Sequence, residues 1–134
     1  MLPYALAYGT AALAFLALDA VWLTAMGDRF YKPLMGGMAL EGFRLAPAIA
    51  FYLIYVTGIL VFAIQPAFGT GRWTTALLYG AAFGFCAYAT YDLTNQATLK
   101  AWPLALTLVD LAWGTVLTAC AATAGFLGAR ALAG

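Results

Sequence analysis

Neither histidine nor serine occurs anywhere in the 134 residues. That double absence excludes Ser-His-Asp triads, Cys-His pairs, and His-ligated zinc, haem and non-haem iron. Charge is scarce too: 8% of the residues are Asp, Glu, Lys or Arg, against about a quarter in soluble domains. Hydrophobic residues make up 66%, and the mean hydropathy is +0.92. A chain this poor in polar surface belongs in a membrane. A net charge of +1 with no basic cluster argues against nucleic acid as a partner. The two cysteines, Cys86 and Cys120, sit inside apolar runs, so neither a disulfide nor a CxxC redox motif is expected. No cofactor and no metal is expected.

What the sequence does have is apolar length. A spanning helix needs about 20 mostly apolar residues. Four stretches qualify, at about 3–26, 46–66, 72–93 and 103–128. The first has no basic leader and outlasts a signal-peptide core, so it reads as a span. The connection at 27–45 mixes Asp28, Arg29, Lys32, Glu41 and Arg44 with Phe30, Tyr31, Leu34, Met35, Met38 and Phe43. That blend predicts a segment lying on the interface. The other two connections are short. The expected fold is therefore all-α: one transmembrane domain over 1–134, an antiparallel four-transmembrane-helix bundle.

Arg29, Lys32, Arg44 and Lys100 fall in connections one and three, and Arg72 and Arg130 on the other side. The excess predicts connections one and three in the cytoplasm and both termini outside. On the third helix Ala76, Gly80 and Gly84 recur every four residues. Such a stripe lets another backbone come close, either within the chain or across a homodimer seam.

The acidic residues carry the most information. Asp19 lies roughly 10 Å from the end of helix one, and Asp110 a similar distance into helix four. Asp92 closes the expected helix three. All three point to one half of the membrane, whichever way the chain inserts. Intramembrane carboxyls are costly unless paired or wetted, so they are functional candidates. Tyr52, Tyr55, Tyr88 and Tyr91 fall near the same level, with Asn95 just beyond and Arg44 and Lys100 at the mouth. The sum is an acidic, tyrosine-rich half-cavity.

Two short stretches match each other. Asp19-Ala20-Val21-Trp22-Leu23-Thr24 and Asp110-Leu111-Ala112-Trp113-Gly114-Thr115 share D-x-x-W-x-T. Chance predicts roughly 0.1 D-x-x-W pairs in such a chain, and there are two. Asp and Trp three apart share one side of a helix. The plainer reading of each Asp is a fastener that hydrogen-bonds an indole or a tyrosine and locks helices together. Asp92 also suits wetting at the interface or pairing with Lys100. Trp22, Trp73 and Trp102 lie near expected boundaries and suit interfacial anchoring. Trp113 is deeper.

Leu18-Asp19-Ala20-Val21-Trp22-Leu23, Phe51-Tyr52-Leu53-Ile54-Tyr55-Val56, Tyr88-Ala89-Thr90-Tyr91-Asp92-Leu93-Thr94-Asn95 and Val109-Asp110-Leu111-Ala112-Trp113-Gly114-Thr115 resemble one bacterial family. It is the domain-of-unknown-function 2177 family of small four-helix inner-membrane proteins. The Tyr-Asp-Leu-Thr-Asn stretch is the most specific part. The resemblance implies a bacterial cytoplasmic membrane, no established activity, and gene neighbourhoods of fatty-acid modification and photo-oxidative stress.

Three functions fit. The first is binding or modifying a lipid or amphiphilic small molecule, with Asp19, Asp110 and Asp92 as the acid–base candidates. Trp22, Tyr52, Tyr55, Tyr88, Tyr91, Asn95 and Trp113 would complete the ligand site. The second is a small cation- or proton-coupled transporter, and the third a structural or assembly subunit. Asp19, Asp92, Asn95 and Asp110 could also ligate a hard cation, but no DxxD pattern supports it.

Overall fold

A computed structural model of the chain describes residues 1–38 and 44–133. Four long helices run up, down, up and down: α1 (Leu2–Met35), α2 (Leu45–Thr70), α3 (Trp73–Thr98) and α4 (Leu104–Ala133). Glu41 and Phe43 of the first connection lie outside the described residues.

Three of the four, α1, α2 and α4, are long and apolar enough to cross a membrane. The helix α3 has the length, 26 residues, but its second half carries Tyr91, Asp92, Thr94, Asn95 and Gln96. Its threonines soften that polarity. Thr90 and Thr98 donate their hydroxyls to the carbonyls four residues earlier, both at 2.7 Å, and Thr94 bonds the Thr90 carbonyl. Hydroxyls satisfied within their own helix cost far less in an apolar medium.

Each helix outruns its expected bounds. Thr94, Asn95 and Gln96 belong to α3 rather than to a loop, and Asp92 stands a turn and a half inside the helix. The described part of the first connection is helical as well, extending α1 to Met35. Both α1 and α2 contain one wider π-helical turn, Gly27–Tyr31 and Leu60–Ile64. A proline follows each turn by two residues, Pro33 and Pro66. Proline lacks an N–H, and its ring crowds the carbonyl four residues back, here Arg29 and Phe62. Both carbonyls lie in the widened turns, which let the helix continue past the proline.

The helix α4 forms the spine. It packs along α1 on one side and α3 on the other, and α2 lies across them. Close approach to α3 depends on Gly80 and Gly84. A Cβ on Gly80 would meet Ala122 Cβ at 2.8 Å, and one on Gly84 the Gly114 carbonyl at 2.2 Å. Ala76, Gly80 and Gly84 are all buried in this seam. The stripe packs against α4 of the same chain. The core continues through Ala7, Ala11, Phe15, Ile59, Ile64 and Phe126, all at most 1% exposed.

The helix α2 packs unevenly. Its second half lies along α3, whereas Leu45–Ile59 stands away from it. The two helices diverge toward the first and third connections, and aromatic side chains bridge the wedge between them. Tyr55 stacks on Phe83 with ring centres 5.2 Å apart, and Gly58 faces the same Phe83 ring.

Candidate functional site

The three carboxyls gather at the divergent end, each delivered by a different helix. Asp19 comes from α1, and Tyr52 of α2 donates its hydroxyl to Asp19 Oδ2 at 2.7 Å. The Trp113 indole of α4 donates to Asp19 Oδ1 at 3.3 Å. Asp110 comes from α4, and Tyr31 of α1 donates its hydroxyl to Asp110 Oδ1 at 2.5 Å. The Tyr31 oxygen in turn accepts the Trp22 indole N–H at 2.9 Å. The two D-x-x-W stretches are thus cross-connected. Each tryptophan N–H reaches the other stretch's aspartate, one directly and one through Tyr31.

Asp92 differs from both. It is 0% exposed, and neither carboxyl oxygen accepts a bond from an N–H or O–H donor among the described residues. The ionisable group nearest to it in electrostatic effect is the Asp110 carboxyl. Asp92 is buried within the bundle and forms no ion pair with Lys100. The ion pair among the described residues is elsewhere, between Lys32 Nζ and Asp28 Oδ1 at 3.0 Å. Arg44 and Lys100 make no ion pair with the three carboxyls.

A cavity of about 330 Å³ opens beside this cluster. Phe51 and Tyr55 of α2, Ala87, Tyr88 and Tyr91 of α3, and Asp110 of α4 line it. It occupies the wedge where α2 leaves α3. Asp110 supplies its carboxyl group, and the rest of its wall is apolar or aromatic. Tyr55 and Tyr88 meet at 73° with ring centres 6.2 Å apart, like two walls of a corner. Phe51 stacks on Tyr55 at 5.2 Å. The Tyr88 hydroxyl lies within electrostatic reach of both Asp19 and Asp110. Its ring rests on Gly114, where an added Cβ would come within 2.3 Å of it.

The residues singled out from sequence divide into two groups. Asp19, Trp22, Tyr52, Asp110 and Trp113 form one hydrogen-bonded and stacked cluster, with Asp92 against it. Tyr55, Tyr88 and Tyr91 line the cavity with Asp110. Asn95 stands apart from the carboxyls, beside Tyr91 on α3. No group of three or more acidic or cysteine ligands among the described residues converges to hold a metal.

A family model described as Predicted membrane protein (DUF2177) matches residues 4–127. The chain belongs to that family. The match spans every residue of the cluster and the cavity. No curated protein and no solved structure matches the chain. Within this DUF2177 chain, then, the geometry itself must be read for function.

Two tryptophans sit differently from the expectation of interfacial anchors. Trp22 turns inward and lies flat on Trp113, and Trp102 is 8% exposed, donating to Thr107 Oγ1 at 3.1 Å. Thr107 passes the bond on to Gln96 at 2.7 Å, so that Trp102 of the third connection and the end of α3 are both tied to α4. Trp73 is exposed. Tyr31 is the site residue that sequence reading missed, because it fell in the segment assigned to the interface. The available signal was Pro33, which forces the wider turn before it. Nine residues at roughly 100° each would put Tyr31 half a turn from Trp22 on a regular helix. The π turn rotates less per residue and brings Tyr31 back toward Trp22.

Proposed function

We propose that this membrane protein binds an amphiphilic molecule in the cavity between α2 and α3, with its polar end at Asp110. The carrying observation is the cavity itself: aromatic walls, one carboxyl, and a place in the wedge between two diverging helices, where an opening would lie sideways. Its volume of about 330 Å³ falls within the range of small-molecule sites. In a bilayer, such an opening faces the acyl chains, so the ligand enters from lipid rather than from water. Asp19, Tyr52, Trp22, Tyr31 and Trp113 hold the carboxyl end of the bundle in one geometry around it.

The same reading puts the family's cavity in a bacterial cytoplasmic membrane, nearer the cytoplasmic face. The excess of Arg29, Lys32, Arg44 and Lys100 on that side supports it. Transport is less well supported. Beyond the Tyr55–Thr118 hydrogen bond at 2.7 Å, the core toward the termini is apolar and closed, built from Ala11, Ile59, Ala63, Ala121 and Ala122.

Native mass spectrometry of the protein, released from membranes in a mild neutral detergent, tests the reading. The wild type is expected to retain an amphiphile, and Ala87→Phe, which fills the cavity, is expected to lose it. Retention by Ala87→Phe equal to the wild type, or no retention by either, overturns the proposal.

A further inference from the structure

We propose that the polar end this cavity takes is an ammonium group, so that the ligand is an alkylamine or an amine-headed lipid. This rests on the amphiphile reading above and names its headgroup chemistry. The first support is the wall. Phe51, Tyr55, Tyr88 and Tyr91 surround the space, and Asp110 supplies the carboxyl group among its lining residues. Aromatic faces set at an angle to each other, with a carboxylate alongside, form the environment in which ammonium groups are held. The corner between Tyr55 and Tyr88, at 73°, supplies two such faces.

The second support is independent of the wall. Behind Asp110 lies the fully buried Asp92, with both oxygens unbonded by any N–H or O–H donor among the described residues. Two facing carboxyl groups form an acceptor-rich centre that needs positive charge or a proton between them. Neither Arg44 nor Lys100 forms an ion pair with either one. A ligand ammonium on Asp110 brings the missing charge and N–H donors to that centre. A phosphate or sulfate end would meet two acceptor carboxyls and be repelled. A hydroxyl end would gain a neutral hydrogen bond, weaker than a charge-assisted one.

Chain-matched probes separate the headgroup from the tail. The full-length protein is reconstituted in phosphatidylglycerol nanodiscs and titrated with decylamine, decyltrimethylammonium, decanol and decyl sulfate below their micellar concentrations. Ala87→Phe discs serve as the reference for simple partitioning into lipid. The wild type is expected to bind decylamine saturably, at least about ten-fold more tightly than decanol, and decyltrimethylammonium, which brings charge but no N–H donors, less tightly than decylamine, with no saturable binding of decyl sulfate. Asp110→Asn is expected to bring the amines down to the level of decanol. Equal binding of decanol and the amines by the wild type overturns the ammonium assignment and leaves the amphiphile reading standing. Absence of saturable binding by every probe overturns both. A second arm uses discs containing phosphatidylethanolamine and native mass spectrometry. Retained phosphatidylethanolamine points to a lipid headgroup as the source, and displacement of that lipid by decylamine shows that the two share the site.

Discussion

Trp22 and Trp113 lie face to face, with ring centres 4.3 Å apart and planes 9° from parallel. They come from antiparallel helices, each three residues beyond an aspartate. The stack sets the distance between α1 and α4 at the level of the carboxyls. From this stack the Trp113 N–H donates to Asp19 and the Trp22 N–H to the Tyr31 hydroxyl, which in turn donates to Asp110. The repeated D-x-x-W stretch is therefore a matched pair that closes on itself, with Tyr31 and Tyr52 each donating to one carboxyl.

Breaking that pair has a measurable consequence. Trp113→Phe keeps a ring on Trp22 but removes the donor to Asp19, and Trp22→Phe removes the donor to Tyr31. Each single change is expected to cost about 1–2 kcal/mol of stability. Because the rings touch, the double variant is expected to cost less than the two singles together. Thermal unfolding in detergent, run as a double-mutant cycle, measures the difference; strict additivity would mean the stack contributes nothing of its own.

The seam between α3 and α4 is the most sterically restricted place in the fold. Gly84→Ala would set a methyl 2.2 Å from the Gly114 carbonyl and 2.6 Å from Thr118 Oγ1. A backbone atom cannot swing aside, so the helices must separate. A loss of about 1–3 kcal/mol is expected. Gly69→Ala, with nothing within 4 Å, is the control and should leave the melting temperature near wild type. Equal melting temperatures for the two variants would show that the helices are not packed as described.

Proline placement controls the site from outside it. Pro33→Ala removes the reason for the wide turn at Gly27–Tyr31 and favours a regular helix there. Tyr31 then rotates away from Asp110. In the wild-type background a cycle of Tyr31→Phe and Asp110→Asn is expected to report a coupling of about 1–3 kcal/mol. In the Pro33→Ala background that coupling should fall to a small fraction. An undiminished coupling would show that the turn does not position Tyr31.

Much of this protein was legible from its sequence because the solvent decides so much. Four long apolar runs admit little but a helical bundle, since backbone groups in lipid must bond within their own helix. Helix direction alternates along the chain, so counting residues from each connection was enough to bring Asp19, Asp92 and Asp110 to one end. The sequence also exposed the D-x-x-W pair, which spacing along a regular helix makes meaningful.

Pairing was beyond it. Whether Asp92 meets lysine, water or another carboxyl depends on how α3 and α4 dock, and Gly80, Gly84 and Gly114 set that docking by contact at atomic range. The same holds for Trp22, whose position near a helix end suggested an interfacial anchor until Trp113 gave it a flat partner. Tyr31 was hidden because a π turn shifts the helical phase, and periodicity arguments assume a constant one. The cavity exists because Leu45–Ile59 leans away from α3, a property of packing between helices rather than of either helix alone. The sparse charge of the chain thus fixed where the protein lives and which end is acidic. Only tertiary contact decided which carboxyl is held by tyrosine and tryptophan, which faces another carboxyl, and which opens into a cavity, because hydrogen bonds and close packing act over a few ångströms between residues far apart in the chain.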